Sequence, residues 1–268
     1  MAITTLDLAL AGMQNPEQFL KVGATMEAIG VMHSFFYTAG MPGAAVAPSP
    51  GVNGAALTTY AGQIPFSNPV SGNTHLAMLE ASATVAGTLL LVDRLWQNSG
   101  LTLTTTTEQT FTTPTWPARD TDGATAGRGV MVGLEVSGAT GNVGAIANTT
   151  LRYTNTTPTG SRTATMGSFP ATAVAGTFVP FQLAAGDVGV QSIQGITLGT
   201  SYVSGAIHVV AYRVLAALGL TLANAGASRD FFGLAKARLY NNSVPSLLWV
   251  PSATTAVTLR GSVAWTQG

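Results

Sequence analysis

The chain has no cysteine, only two lysines, few aromatic residues (7%) and charge on just 8% of its positions. The missing cysteine excludes a disulfide framework, thiolate nucleophiles and cysteine metal sites, and says little about compartment. The lysines are Lys21 and Lys236, and the arginines are spread from Arg94 to Arg260 without a cluster. Nucleic-acid affinity comes from grouped cations that displace counterions, so no nucleic-acid partner is expected. Long apolar runs are missing too. Ala81 to Val92 is bounded by Glu80 and Asp93, and Gly205 to Ala223 is interrupted by His208 and Arg213. Crossing a bilayer as a helix takes about 20 apolar residues, so neither is expected to span one. The stretch from Met1 to Asp7 has no basic region and no sustained apolar run, so no signal peptide is expected.

What is present is apolar or neutral. Hydrophobic residues make up 46%, there are 31 glycines, and the polar complement is mostly Thr, Ser, Asn and Gln. A soluble domain ordinarily carries charge on about 25% of its residues. A compact monomer of this length exposes about 11,000 Å², which leaves one charge per roughly 500 Å² where ordinary composition gives one per roughly 160 Å². The formal net charge is zero, so repulsion does little to oppose self-association near neutral pH. This is the composition of a subunit that neighbours cover.

Read for periodicity, the chain divides near residue 99. Thr5 or Asp7 is placed to cap a short helix through Met13. Asn15-Pro16-Glu17 has the form of a helix start, with Asn as N-cap, Pro at the first position and Glu in the first turn. Phe19, Val22, Met26, Ile29, Met32 and Phe36 then recur at steps of three and four, which predicts a helix ending at Gly40-Met41-Pro42-Gly43. Residues 41–73 carry no charge and alternate proline with glycine, which predicts an extended arm lying on this chain or on a neighbour. Thr74 to Asn98, with Leu76, Leu79, Val85, Leu89, Val92 and Trp96 on one face, predicts a second long helix, closed by Gly100.

From Leu101 the period becomes two. Strands are predicted over 101–111, 130–136, 150–154, 177–181, 191–198, 206–214, 247–250 and 256–265, rich in Thr and Val. Turn-rich joints separate several of them, at Pro114 to Gly129, Gly138 to Gly144, Asn155 to Gly160 and Ala184 to Gly189. The expected class is α+β, mainly β. A helical N-terminal part with its arm (1–99) precedes an antiparallel β-sandwich of jelly-roll type (100–268).

Candidate chemistry is sparse. His33, His75 and His208 are the only histidines, and none has metal-ligand spacing to another, so each is read as structural. Asp120-Thr-Asp122-Gly123 is the densest acidic spot. Two carboxylates at a Gly turn resemble the beginning of a calcium loop, but the later ligands are missing, and a turn tied by Asp side-chain hydrogen bonds fits better. The other acidic residues nominate no glycosidase pair. No Gly-x-Ser-x-Gly occurs, and the glycine runs at 127–133 and 138–144 do not open helices. No catalytic, cofactor-binding or metal residue is therefore nominated, and no enzymatic activity is expected. Arg94 with Trp96, and Arg119 with Trp116, are candidate cation–π pairs or interface anchors, with ordinary core packing as the alternative.

Three stretches, Arg94-Leu-Trp-Gln-Asn-Ser-Gly-Leu, Thr115-Trp-Pro-Ala-Arg-Asp and Arg238-Leu-Tyr, make residues 90–250 resemble virion structural proteins of tailed bacteriophages. That resemblance implies a particle component without enzymatic activity, and it carries over no site residues. On it rests the expectation of a cement or decoration protein of the phage head. Such a protein binds the shell of the major capsid protein through its helices and arm, and associates with itself as a trimer. The alternative is a tail or fibre protein, including a carbohydrate reader in which exposed Trp116, Trp249 or Trp265 stacks on sugars.

Overall fold

A computed structural model describes residues 3–26, 28–234 and 237–268, so Glu27 and Lys236 lie outside the described residues. Helix α1 (Leu6–Ala11) comes first, its Leu8 N–H donating to the Thr5 Oγ1 at 3.2 Å. β1 (Glu17–Ala24), β2 (Met32–Ser34), a 3-10 turn (Phe35–Tyr37), β3 (Gly40–Met41), β4 (Ala55–Ala56), β5 (Thr74–Ala83) and β6 (Gly87–Gln97) follow. Next come β7 (Gln109–Thr110), β8 (Val130–Gly138), β9 (Thr150–Asn155), β10 (Arg162–Met166), β11 (Thr177–Gln182) and β12 (Val190–Thr197). The chain ends with β13 (Ala206–Leu220), β14 (Gly226–Asp230), β15 (Arg238–Leu239), β16 (Pro245–Pro251) and β17 (Val257–Gln267).

These strands form two antiparallel sheets. The smaller runs β14-β5-β17-β1-β3, with β15 also on β5. The larger runs β2-β16-β6-β13-β8-β11-β10-β9-β12-β7, and an added β2–β11 pairing closes its first six strands into a ring. All six ring strands contribute to one apolar cluster. It joins Val92, Phe178, Val210, Tyr212 and Leu248 with Met32, Leu90 and Met131, so this cluster is the ring's interior. Side chains alternate between the faces of a strand, which puts Leu89 and Leu91 on the outside of β6 against the smaller sheet's Leu76, Leu79, Val263 and Trp265. On the outside of β8, Val130, Val132 and Leu134 pack with Leu151, Tyr153 and Ile193 of the β9–β12 extension. Closure removes sheet edges, the usual place where β proteins mispair.

The α+β class and the helical N-terminal part are overturned. The predicted helix from Asn15 is β1, β2 and the 3-10 turn. Its apolar spacing misled because the stripe does not lie on one buried face: Phe19, Met26 and Phe36 are buried, but Val22 and Ile29 are exposed. The burial that matters has period two, with Phe19 and Lys21 inward on β1. The second predicted helix is β5 and β6, which sit in different sheets, so the chain crosses between them at 84–86. From Leu91 to Gln97 every residue of β6 is buried. A strand covered on both faces shows no alternation and reads as an unbroken apolar run. Both sheets draw strands from either side of residue 99.

Most of the predicted strands are present. The exception is 101–111, where only β7 forms. The Gln109 side chain instead ties the loop, accepting from the Thr102 N–H at 2.7 Å and donating to the Thr102 carbonyl at 2.9 Å. The arm lies along its own chain. Leu57 N–H donates to the Leu95 carbonyl and Ile64 N–H to the Pro245 carbonyl, at 2.8 and 2.9 Å, and both side chains are buried.

Gly133 makes room for the ring's aromatic filling, since a Cβ there would overlap the Phe178 ring. Gly133→Val is therefore expected to destabilise the fold by about 1–3 kcal/mol through overpacking. Adding Phe178→Ala should return part of that loss, read as coupling in a urea double-mutant cycle.

Candidate functional site

The ring interior carries charge as well as apolar groups. Arg94 on β6 and Glu135 on β8 lie two residues beyond Val92 and four beyond Met131, so each shares a face with the interior cluster. Between them stands β13. Arg94 Nη1 and Nη2 donate to the two Glu135 carboxylate oxygens, each at 2.7 Å, with both side chains buried. Tyr37 O–H donates to Glu135 at 2.9 Å, and the Phe36 ring lies 4.1 Å from the guanidinium carbon. Burial alone would raise the Glu135 carboxyl, but the Arg94 charge and hydrogen bonds outweigh it and hold the group below its usual range. The pair is ionised and neutral as a unit.

A second polar centre lies on the outside of β6. Asp93 is fully buried and accepts from the Val244 N–H at 2.8 Å and the Ser243 hydroxyl at 3.0 Å. Arg119 Nε and Arg213 Nη2 approach the same carboxylate at 3.4 and 3.8 Å. Arg119 also donates to the Arg94 carbonyl at 2.8 Å, and Arg213 to the Arg238 carbonyl at 2.9 Å. Burial lowers both guanidiniums against the opposing pull of Asp93. Tyr240 stands between Arg213 and Arg238, with guanidinium carbons 5.2 and 4.6 Å from its ring centre.

The Asp120 turn is tied down by its own carboxylate, which accepts from the N–H groups of Asp122, Ala124, Gly127 and Arg128 at 2.8–3.2 Å. Gly123 holds φ of +76°, and a Cβ there would overlap the Tyr240 ring. Asp122 does not join Asp120 at a common point. It pairs with Arg128 at the surface, 3.2 Å away.

The histidines stand on three different strands. His33 on β2 is buried with its ring edge toward Phe35, and burial pushes it down to about 4. His75 on β5 packs edge-on against Phe231. His208 on β13 has Nδ1 2.8 Å from the Asn98 carbonyl and Nε2 2.6 Å from Ser137 Oγ. A carbonyl only accepts, so Nδ1 carries the proton. Burial lowers this histidine's affinity for a second one.

Arg94, Trp96, Trp116 and Arg119 are core residues, 1% exposed or less. The two indoles lie 5.6 Å apart, but the expected Arg94–Trp96 and Arg119–Trp116 cation–π pairs are not among the contacts of the described residues: the Arg94 guanidinium meets Glu135 and the Phe36 ring, and that of Arg119 meets Asp93. Trp249 and Trp265 are buried as well, so none of the three candidate sugar-stacking indoles is presented to solvent. The nodes the sequence reading passed over were Asp93, Glu135, Arg213 and Lys21. Their signal was an ionisable residue inside an apolar strand, as in Leu91-Val-Asp-Arg-Leu-Trp96.

The exterior is consequently poorer in charge than composition alone implies. Of the twenty described charged residues, seven are buried (Lys21, Asp93, Arg94, Arg119, Asp120, Glu135 and Arg213) and eight are exposed. Those eight share 10809 Å² of surface, about 1,350 Å² each. On the outer face of the smaller sheet a groove of about 880 Å³ crosses β1, β17, β5 and β14, lined by Leu20, Met41 and Met78 beside Gln18, Ser82 and Ser228. Its two charged residues are occupied locally: Arg260 donates to Ser82 at 3.0 Å, and Glu80 accepts from Ser262 at 2.7 Å. A second cleft, of about 290 Å³, lies between α1 and Phe231-Phe232 and is mainly apolar.

No family model matches the chain, and no curated protein matches it. Among solved structures it is similar to the VP2 subviral particle of infectious bursal disease virus, at 11% identity over 96% of this chain and 81% of that one, with a TM-score of 0.18. Another similar structure is that of the Gt strain of the same virus, at 14% identity over 95% and 82%, with a TM-score of 0.15. A third is a T=1 particle derived from that virus, at 12% identity over 96% and 79%, with a TM-score of 0.16. These neighbours are viral capsid structures. Likeness at such TM-scores carries no argument about this chain.

Glu135→Gln strands the buried Arg94 charge and is expected to destabilise by about 3–5 kcal/mol, whereas Arg94→Met with Glu135→Leu should be markedly milder. Chemical denaturation of both variants checks this. The pH dependence has a definite sign. Unfolded His33 takes a proton below its ordinary 6.5, while the folded residue resists until about 4. Its contribution is complete above pH 6.5 and is lost as pH falls toward 4, by about 3 kcal/mol in full. His33→Phe should flatten the decline in urea midpoint between pH 7 and pH 4.5.

Proposed function

We propose that the protein is a non-enzymatic structural subunit of a phage particle, a cement or decoration protein that binds and stabilises the shell formed by the major capsid protein. The observation that carries this reading is the exterior: a two-sheet β body on which only eight of the twenty described charged side chains are exposed, with seven buried inside. Approach of another protein surface desolvates few ions there, and desolvating ions is the main penalty on close polar contact. The groove on the smaller sheet offers apolar side chains among neutral hydrogen-bonding ones, the make-up of an interface core with its polar rim. The resemblance of residues 90–250 to virion structural proteins points the same way. Self-association, as a trimer, gives several attachment points, and multivalency turns modest single contacts into near-permanent ones.

Two measurements test it. Sedimentation across a wide concentration range should show self-association, or binding to expanded shells of the capsid protein. A chain that stays solitary and binds no shell would end the assembly reading. Copy number by quantitative mass spectrometry of the particle should be in the hundreds. About a dozen or fewer would move the protein from the head to the tail, where closed rings of low symmetry set the count.

A further inference from the structure

Behind the Asp120 turn lies a cavity of about 380 Å³, lined by Arg119, Arg238, Tyr240, Asn73, Thr74 and Asn242 among others. Arg119 and Arg238 are its charged lining residues. Arg213 adjoins them by donating to the Arg238 carbonyl, and of the two carboxylates that act on it, Asp120 already accepts from four backbone N–H groups. Asp93 pairs with both Arg119 and Arg213. Arg238 has no carboxylate partner among the described residues: it donates to the Asn73 side-chain oxygen and lies over the Tyr240 ring.

The cavity walls also hold unused donors. Arg119 and Thr74 are each 1% exposed, yet among the described residues Arg119 Nη1 and Thr74 Oγ1 have no hydrogen-bond partner, and neither has Arg238 Nε. Unpaired buried donors of this kind are rare, and each is costly unless something fills the place. Guanidinium forks match the geometry of oxyanions and bind them bidentately.

We propose that this cavity binds a small oxyanion, a phosphate or carboxylate group, held by Arg119 and Arg238 with Thr74 as a further donor and the Tyr240 ring as a wall. The volume lies within the range of small-molecule sites. An ion seated there joins β5, β15 and the 117–119 segment through one set of charge-assisted bonds, so it should stabilise the fold. This site does not depend on the assembly reading.

The test is thermal unfolding of the full chain with sodium phosphate or sodium citrate against sodium chloride at equal ionic strength. An occupied site should raise Tm by about 3 °C at ten times the dissociation constant, and isothermal titration should show one site per chain. A response to phosphate alone assigns phosphate, and one to citrate alone assigns a carboxylate. Arg238→Gln, which leaves the Asp93 centre intact, should abolish the shift and the titration heat while the chain stays folded by circular dichroism. Arg229→Gln, an exposed position on β14 outside the cavity lining, serves as a folded control that keeps both. The proposal is overturned if neither anion exceeds chloride, or if Arg238→Gln responds as the parent chain does.

Discussion

Everything in the ring is arranged around a charge that has nowhere else to go. Arg94 projects into a space closed by six strands, and a lone guanidinium there would be intolerable. Glu135 reaches it from two strands away, past β13. That contact sets the relative register of β6, β13 and β8 more strictly than apolar packing does, because a slip of one residue would move either partner to the opposite face of its strand. The pair contributes little net stability over a well-packed apolar substitute. It acts as a registry device, and Phe36 and Tyr37 of the 3-10 turn complete it by stacking on one partner and donating to the other.

The second centre extends the same logic outward. Asp93 follows the interior side chain Val92 and precedes Arg94, so one tripeptide of β6 serves the apolar interior, the outer polar centre and the inner ion pair in turn. The three stretches that carry the resemblance to phage proteins converge on this place. Trp96 stacks near Trp116, Arg119 donates to the Arg94 carbonyl, and Arg238 with Tyr240 closes the far side. Those stretches therefore meet at one packed hub.

Much of the β-rich half was legible because half-buried strands alternate: Thr150 to Asn155 reads buried and half-buried in strict turn. The Thr5 cap was legible for an equally local reason, a hydroxyl three residues before an N–H it can reach. The two long helices were misread because helix and strand signals merge when a strand is covered on both sides, as β6 is, or when a strand's exposed face happens to carry Leu20 and Val22. The charge centres are non-local: Asp93 and Val244 are 151 residues apart, and no spacing rule connects them. What the sequence did hold was the oddity of ionisable residues inside apolar strands of a chain that has few to place.

That scarcity and the neutral exterior are two sides of one constraint. Each buried ion serves several backbone groups at once. Lys21 donates to the carbonyls of Thr38, Pro42 and Gly43, fixing the start of the arm, and Asp120 organises a nine-residue turn by itself. With many of the ions used as internal nodes, much of the outside is left to neutral polar side chains and to apolar ones such as Ile29, Leu222 and Phe232. Such groups exchange water for protein partners at small penalty, whereas a Lys- or Glu-rich face resists the same contact through desolvation. A monomer gains nothing from so bare a surface and loses the solubility that charge provides. A lattice subunit gains contacts that form without ion desolvation and hold at any salt concentration, since there is little for salt to screen.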